Sequence, residues 1–73
     1  MAKIEVTSEV TGNVWKLQAK VGDVLAEEDV IMILESMKME IPVEAPVAGK
    51  LVGLSVAEED SVKEDQVVAV IES

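Results

Sequence analysis

Val30-Ile31-Met32-Ile33-Leu34-Glu35-Ser36 returns thirty-seven positions later as Val67-Val68-Ala69-Val70-Ile71-Glu72-Ser73. The match continues upstream without a gap. Val10-Thr11-Gly12-Asn13-Val14 lines up with Val47-Ala48-Gly49-Lys50-Leu51, Leu17 with Leu54, Asp23 with Asp60 and Glu27 with Glu64. The first five residues of each run, Val30–Leu34 and Val67–Ile71, are apolar, and such short runs bounded by polar turns are strands rather than helices. Two units are too few for a solenoid. The repeat therefore implies a closed, pseudo-symmetric unit in which two halves bury each other's apolar face.

Each half reads the same way. A strand starts at a glycine, Gly12 to Gln18 and Gly49 to Val56. A turn follows, Lys20-Val21-Gly22-Asp23 and Ala57-Glu58-Glu59-Asp60, then a short apolar pair at Val24-Leu25 and around Val62. A second acidic turn, Ala26-Glu27-Glu28-Asp29 and Lys63-Glu64-Asp65-Gln66, leads into the buried runs Val30–Leu34 and Val67–Ile71. Between the halves, Ile41, Val43 and Ala45 alternate with Pro42 and Glu44, as in a strand with one wet face. Pro42 and Pro46 cannot donate ladder hydrogen bonds, which places this strand at an edge. Ile4 and Val6 form its counterpart near the N-terminus. The expected architecture is all-β: about eight short strands in two four-stranded sheets, a flattened barrel or sandwich with pseudo-two-fold symmetry, residues 1–73 forming a single domain. One turn breaks the symmetry. Gly22 takes a positive φ freely, but its repeat mate is Glu59, so the second turn is expected to be looser or of another type.

Composition narrows the function. Apolar residues make up 49%, yet Trp15 is the sole aromatic, and β-branched Val and Ile favour strands. Fifteen acidic residues against six lysines give a net charge of −9, which repels nucleic acid and anionic lipid. Without Cys there is no disulfide, and without Cys or His no zinc site of the usual kind. The hydroxyls have no histidine base to activate them, so no catalytic residues are expected. The acidic turns match no calcium loop and read as solvated surface, with no metal. The N-terminus lacks a signal-peptide stretch, no run is long enough to span a bilayer, and the chain reads as cytoplasmic. Alternation places Trp15 opposite Val14, partly exposed, with peripheral packing as its default role.

The junction of the halves is Glu35-Ser36-Met37-Lys38-Met39-Glu40. The chain must turn back here, through a link of Glu35-Ser36-Met37-Lys38 that lacks the Asn-Gly or Asp-Gly of a tight two-residue turn. Large apolar side chains at a hairpin tip are hard to bury. From the residues alone two readings stand. Lys38 is a soluble tip residue with methionines filling gaps, or the tip is a platform that displays a primary amine for acylation.

The junction resembles the Met-Lys-Met attachment motif of the biotinyl domain family, and Pro46-Val47-Ala48-Gly49 and Val21-Gly22-Asp23-Val24 resemble the same family. The resemblance runs from about Ile4 to Glu72. It implies a barrel-sandwich hybrid with the attachment lysine on an exposed hairpin and the termini together at the other end. It further implies a non-catalytic carrier subunit of a biotin-dependent carboxylase, with biotin held covalently on Lys38. Glu35, Ser36, Met37, Met39 and Glu40 would form the surface read by the ligase and partners. A biotin protein ligase would acylate Lys38 from biotinyl-AMP. Since a lysine amine keeps its proton at neutral pH, the ligase must supply the deprotonation. A biotin carboxylase would load the carboxyl group and a carboxyltransferase would receive it, the carrier raising the local concentration of cofactor at both. The implied carrier is a monomer. Ser36 departs from the Ala common in biotinyl domains, and Glu-Ser before the lysine also resembles lipoyl domains, which keeps lipoate as an alternative cofactor. The gapless repeat leaves no room for the protruding loop of some bacterial carriers. The rivals are a lipoyl carrier of a 2-oxoacid dehydrogenase-type complex and an unmodified interaction module on the same barrel.

Overall fold

The structure, a computed structural model, describes residues 2–73. Eight strands are present: β1 (Lys3–Thr7), β2 (Gly12–Leu17), β3 (Val24–Leu25), β4 (Val30–Ser36), β5 (Met39–Glu44), β6 (Gly49–Leu54), β7 (Ser61–Val62) and β8 (Val67–Glu72). They form two antiparallel four-stranded sheets, ordered β1-β8-β6-β3 and β5-β4-β2-β7. The all-β fold and both edge assignments follow the sequence reading, with β5 at an edge as Pro42 requires. The repeat maps β1 to β5, β2 to β6, β3 to β7 and β4 to β8. The halves are thus interlocked rather than simply stacked: each supplies the centre of one sheet and both edges of the other.

The core lies between the sheets. Ile31, Met32 and Leu34 of β4 meet Val68, Ala69 and Ile71 of β8, with Val14, Leu51 and Val62 filling the remaining space. Ile31-Met32 and Val68-Ala69 are adjacent residues that are both fully buried, which strict alternation forbids. Bulges supply the reason. The β4–β5 register skips Ile31, and the β1–β8 register skips Val68, its repeat mate. Two further bulges, again repeat mates, fall at Trp15 in β2 and Val52 in β6. The strand ends differ slightly from expectation: β2 and β6 stop at Leu17 and Leu54, while β4 and β8 run on to Ser36 and Glu72.

Four turns share one design. In Lys20–Asp23, Ala26–Asp29, Ala57–Asp60 and Lys63–Gln66, the fourth residue's N–H donates to the first residue's carbonyl at 3.0–3.1 Å. The first residue's N–H donates to the side-chain oxygen of Asp23, Asp29, Asp60 or Gln66 at 2.9–3.1 Å. The third residue has positive φ in every case: Gly22 at 103°, Glu28 and Glu59 at 75°, Asp65 at 69°. These are turns of type II character, whose third position favours glycine. The expected loosening at Glu59 does not occur. Its turn matches that of Gly22, because the Glu59 N–H donates to the Val14 carbonyl (2.7 Å) and the Val14 N–H to the Asp60 carbonyl (2.8 Å). The same pair of bonds ties Gly22 and Asp23 to Leu51. These bonds to the opposite half hold a left-handed residue that costs roughly 1–2 kcal/mol. The acidic turns are therefore more than solvated surface: their fourth residues close them.

Candidate functional site

β4 and β5 form a hairpin whose last paired residues are Ser36 and Met39. Only Met37 and Lys38 lie between them, so the link is two residues, not the four expected; Glu35 and Ser36 belong to β4. Both loop residues have positive φ, 52° at Met37 and 67° at Lys38. That is the signature of a type I′ turn, whose twist suits antiparallel strands but which normally uses Asn-Gly. The absence of that dipeptide pointed away from a tight turn, and the structure adopts one at the cost of two strained non-glycine residues.

The junction residues come together as follows. Lys38 is exposed at the tip. Met37 is 92% exposed and Met39 61%, so neither methionine belongs to the core. Glu35 and Glu40 sit directly opposite each other across the β4–β5 ladder, both exposed. Like charges in that position weaken a sheet. Ser36 is half-buried and serves the hairpin's base: its hydroxyl donates to the Thr11 carbonyl at 2.8 Å.

Two contributors were not singled out from the sequence. The Thr11 Oγ1 accepts from the Glu64 N–H at 3.2 Å, tying the start of β2 to the turn before β8. Gly12 packs so closely on β4 that an added Cβ would strike the Glu35 carbonyl oxygen and lie 3.2 Å from the Ser36 Cβ. The repeat itself held the signal for Gly12, since Gly49 occupies the same position against Glu72.

On the other side of the pseudo-dyad, the chain ends meet. The Ala2 N–H donates to the Ser73 carbonyl (3.1 Å), and the Ser73 N–H donates to the Ala2 carbonyl (3.0 Å). Ala2 and Ser73 are the repeat mates of Met39 and Ser36. The same ladder rung thus closes the hairpin at one site and joins the termini at the other.

A flattened two-sheet barrel with a lysine at the tip of its central hairpin agrees with the sequence comparisons. The family model for biotin and lipoyl domains, described as biotin-requiring enzyme, matches residues 2–71. The chain belongs to this biotin/lipoyl attachment family. The biotinylated protein TB7.3 homolog of Mycobacterium leprae is 40% identical over 67 residues, covering 92% of this chain and 94% of that protein. The biotin/lipoyl attachment protein of Bacillus subtilis is 40% identical over 63 residues, covering 86% of each chain. Among solved structures, the Kluyveromyces lactis urea carboxylase superposes with a TM-score of 0.93 at 36% identity, covering 99% of this chain. Similarity to a biotin/lipoyl attachment domain therefore extends to much larger enzymes. The chain spans 6% of that carboxylase and 4% of the urea amidolyase of Saccharomyces cerevisiae, which is 40% identical over 68 residues.

Proposed function

We propose that Lys38 is the attachment point for biotin and that this chain works as a carrier within a biotin-dependent carboxylase. The observation that carries the reading is the placement of Lys38: an exposed amine on a two-residue turn, at the centre of the repeat, in a chain of the attachment family. The site fits a covalently tethered group rather than a pocket-bound one. The tip offers a primary amine that projects from a rigid base, and both flanking methionines are exposed beside it.

In loading, the Lys38 Nζ attacks the activated acyl group presented by a biotin protein ligase. An amide forms, AMP leaves, and the lysine proton passes to the ligase. Met37, Met39, Glu35, Ser36 and Glu40 make up the surface the ligase meets. A biotin held on Lys38 would supply the ureido nitrogen that carries the carboxyl group. The chain's own contribution is mechanical. The paired strands β4 and β5 hold the tether at a fixed origin while the partners exchange, which raises the local concentration of the cofactor at a biotin carboxylase and then a carboxyltransferase. In this reading the protein is a monomeric, cytoplasmic and non-catalytic subunit; the charge of −9 supports a soluble carrier.

Intact mass spectrometry of the protein from its own host, with peptide mapping, tests the proposal. One biotinyl group on Lys38, lost in Lys38→Arg while the fold is kept, is the expected result. A lipoyl increment at Lys38 would keep the carrier role and overturn the cofactor. An unmodified Lys38 in cells with ample biotin and ligase would overturn the carrier role itself.

A further inference from the structure

The pseudo-symmetry of the fold provides an internal control for each surface: the same position in the other half. On the outer face of the sheet that carries the hairpin, Asn13, Val14, Trp15, Glu35 and Glu59 line one shallow cleft. The repeat mates of these residues are Lys50, Leu51, Val52, Glu72 and Gly22. Three differences are chemical. Trp15 replaces Val52, Glu59 replaces Gly22, and Asn13 replaces Lys50. The termini-side position thus holds a lysine and no aromatic. The hairpin-side position holds an aromatic face, two carboxylates and no cation in its lining.

Each difference runs against the fold's own economy. Trp15 lies at the β2 bulge, which breaks the pairing between Val14 and Lys16, and it is 50% exposed. A bulge re-aims a side chain, and here it presents the sole aromatic of the chain to solvent. Glu59 occupies a positive-φ position that its mate fills with glycine. Glu28 and Asp65 also take that conformation, as mates of each other, so the backbone tolerates a side chain there; Glu59 is the one of them that lines the Trp15 cleft. Asn13 pairs with Glu35 in the ladder, whereas Lys50, the mate of Asn13, sets a cation opposite Glu72 at the equivalent ladder position.

We infer that the Trp15–Glu59 cleft is a docking notch for a cationic side chain, an arginine, of the enzyme that acylates Lys38. An aromatic face flanked by carboxylates suits a guanidinium, which stacks on the ring while its N–H groups reach the carboxylates. The cleft lies on the same sheet as the hairpin, and Glu35 belongs both to the cleft and to the stem that carries Lys38. The inference rests on the carrier reading and narrows it to one partner. The loading enzyme meets the domain before any cofactor is attached, so protein surface alone must supply its recognition.

The test uses the unloaded full chain, the host's biotin protein ligase, and substitutions that import the mate's residue: Trp15→Val, Glu59→Gly and Asn13→Lys. The fold already accommodates each residue at the equivalent site. Trp15→Val and Glu59→Gly are each expected to raise the KM for the protein substrate about fivefold, the scale of an exposed cation–π or charge contact. The kcat should not change. Asn13→Lys, which places a cation in the notch, should raise KM at least as much. A structural role for Glu59 predicts a lowered urea midpoint for Glu59→Gly with KM unchanged; the notch predicts a raised KM at a midpoint no lower than the parent's, since glycine relieves the left-handed strain. A KM within twofold of the parent for all three variants, with normal loading of the parent, overturns the notch and leaves the carrier reading standing. A parent that the ligase does not load overturns both.

Discussion

Replacing Gly12 by alanine tests whether the hairpin's position depends on close approach between β2 and β4. An added Cβ at Gly12 meets the Glu35 carbonyl oxygen, with the Glu35 carbonyl carbon and the Ser36 Cβ each 3.2 Å away. These are backbone and near-backbone atoms with no rotamer to change, so β2 must shift outward or β4 must bend. Gly49→Ala makes the matching clash at the other site, with the Glu72 carbonyl oxygen at 2.6 Å and the Ile71 Cγ2 at 2.7 Å. Overpacking of this kind costs about 1–3 kcal/mol. For a domain of this size each kilocalorie lowers Tm by about 4–8 °C, so each variant should melt roughly 4–24 °C below the parent. The two variants should then part company. Gly12→Ala moves the stem under Lys38 and should also slow loading by biotin protein ligase, measured below the melting range. Gly49→Ala strains the rung beside the joined termini and should load at the parent rate. Thermal melts followed by circular dichroism, paired with loading assays, give both readouts. A Gly12→Ala protein that melts with the parent would refute the close-approach argument, and equal loading defects in both variants would refute the separation of the two ends.

Two further outcomes follow from the hairpin. Met37→Asn places at φ 52° a residue that tolerates the left-handed region, so it should stabilise the fold by up to about 1 kcal/mol, read as a higher urea midpoint at unchanged m-value. Ser36→Ala removes the hydroxyl donated to the Thr11 carbonyl and should cost about 0.5–1.5 kcal/mol while speeding amide hydrogen exchange at Met39; exchange unchanged at Met39 would show that the bond does not hold the hairpin base.

Most of this fold was legible because the repeat supplies a second reading of each element. Val30–Leu34 alone is an apolar run of uncertain type, but the same run at Val67–Ile71, flanked by the same turn, limits the choice to strands. Pro42 fixed β5 at an edge through one missing donor. The bulges were not legible. Alternation cannot foresee that Ile31 and Met32 both point inward, because the signal of a bulge lies in how two strands register, not in one strand's residues. The hairpin was misjudged for a related reason. Asn-Gly is the local preference for a type I′ turn, and here the ladder on either side of Met37-Lys38 overrides it. Lys38 itself stood out by its place between the repeats. The supports beneath it, Thr11 and Gly12, lie far upstream in sequence and act through contacts that only the folded chain makes.

The two equivalent rungs show what this fold can leave to symmetry and what it cannot. Ser36–Met39 and Ser73–Ala2 are the same pair in the two halves, and both close with antiparallel bonding. At Ala2 and Ser73 the rung is made by two backbone hydrogen bonds. At the hairpin two more residues must cross the gap, and both enter the left-handed region. Strain of that kind persists only where surrounding structure over-determines it. The extra determinants are found on the hairpin side. Thr11 makes its side-chain bond to Glu64 there, whereas its mate, Ala48, has no hydroxyl to make one. The Ser36 hydroxyl adds a bond to the same strand start. Side-chain bonds from Thr11 and Ser36 therefore brace the base of the turn that carries Lys38, which is where a tether origin has to stay fixed while successive partners approach it.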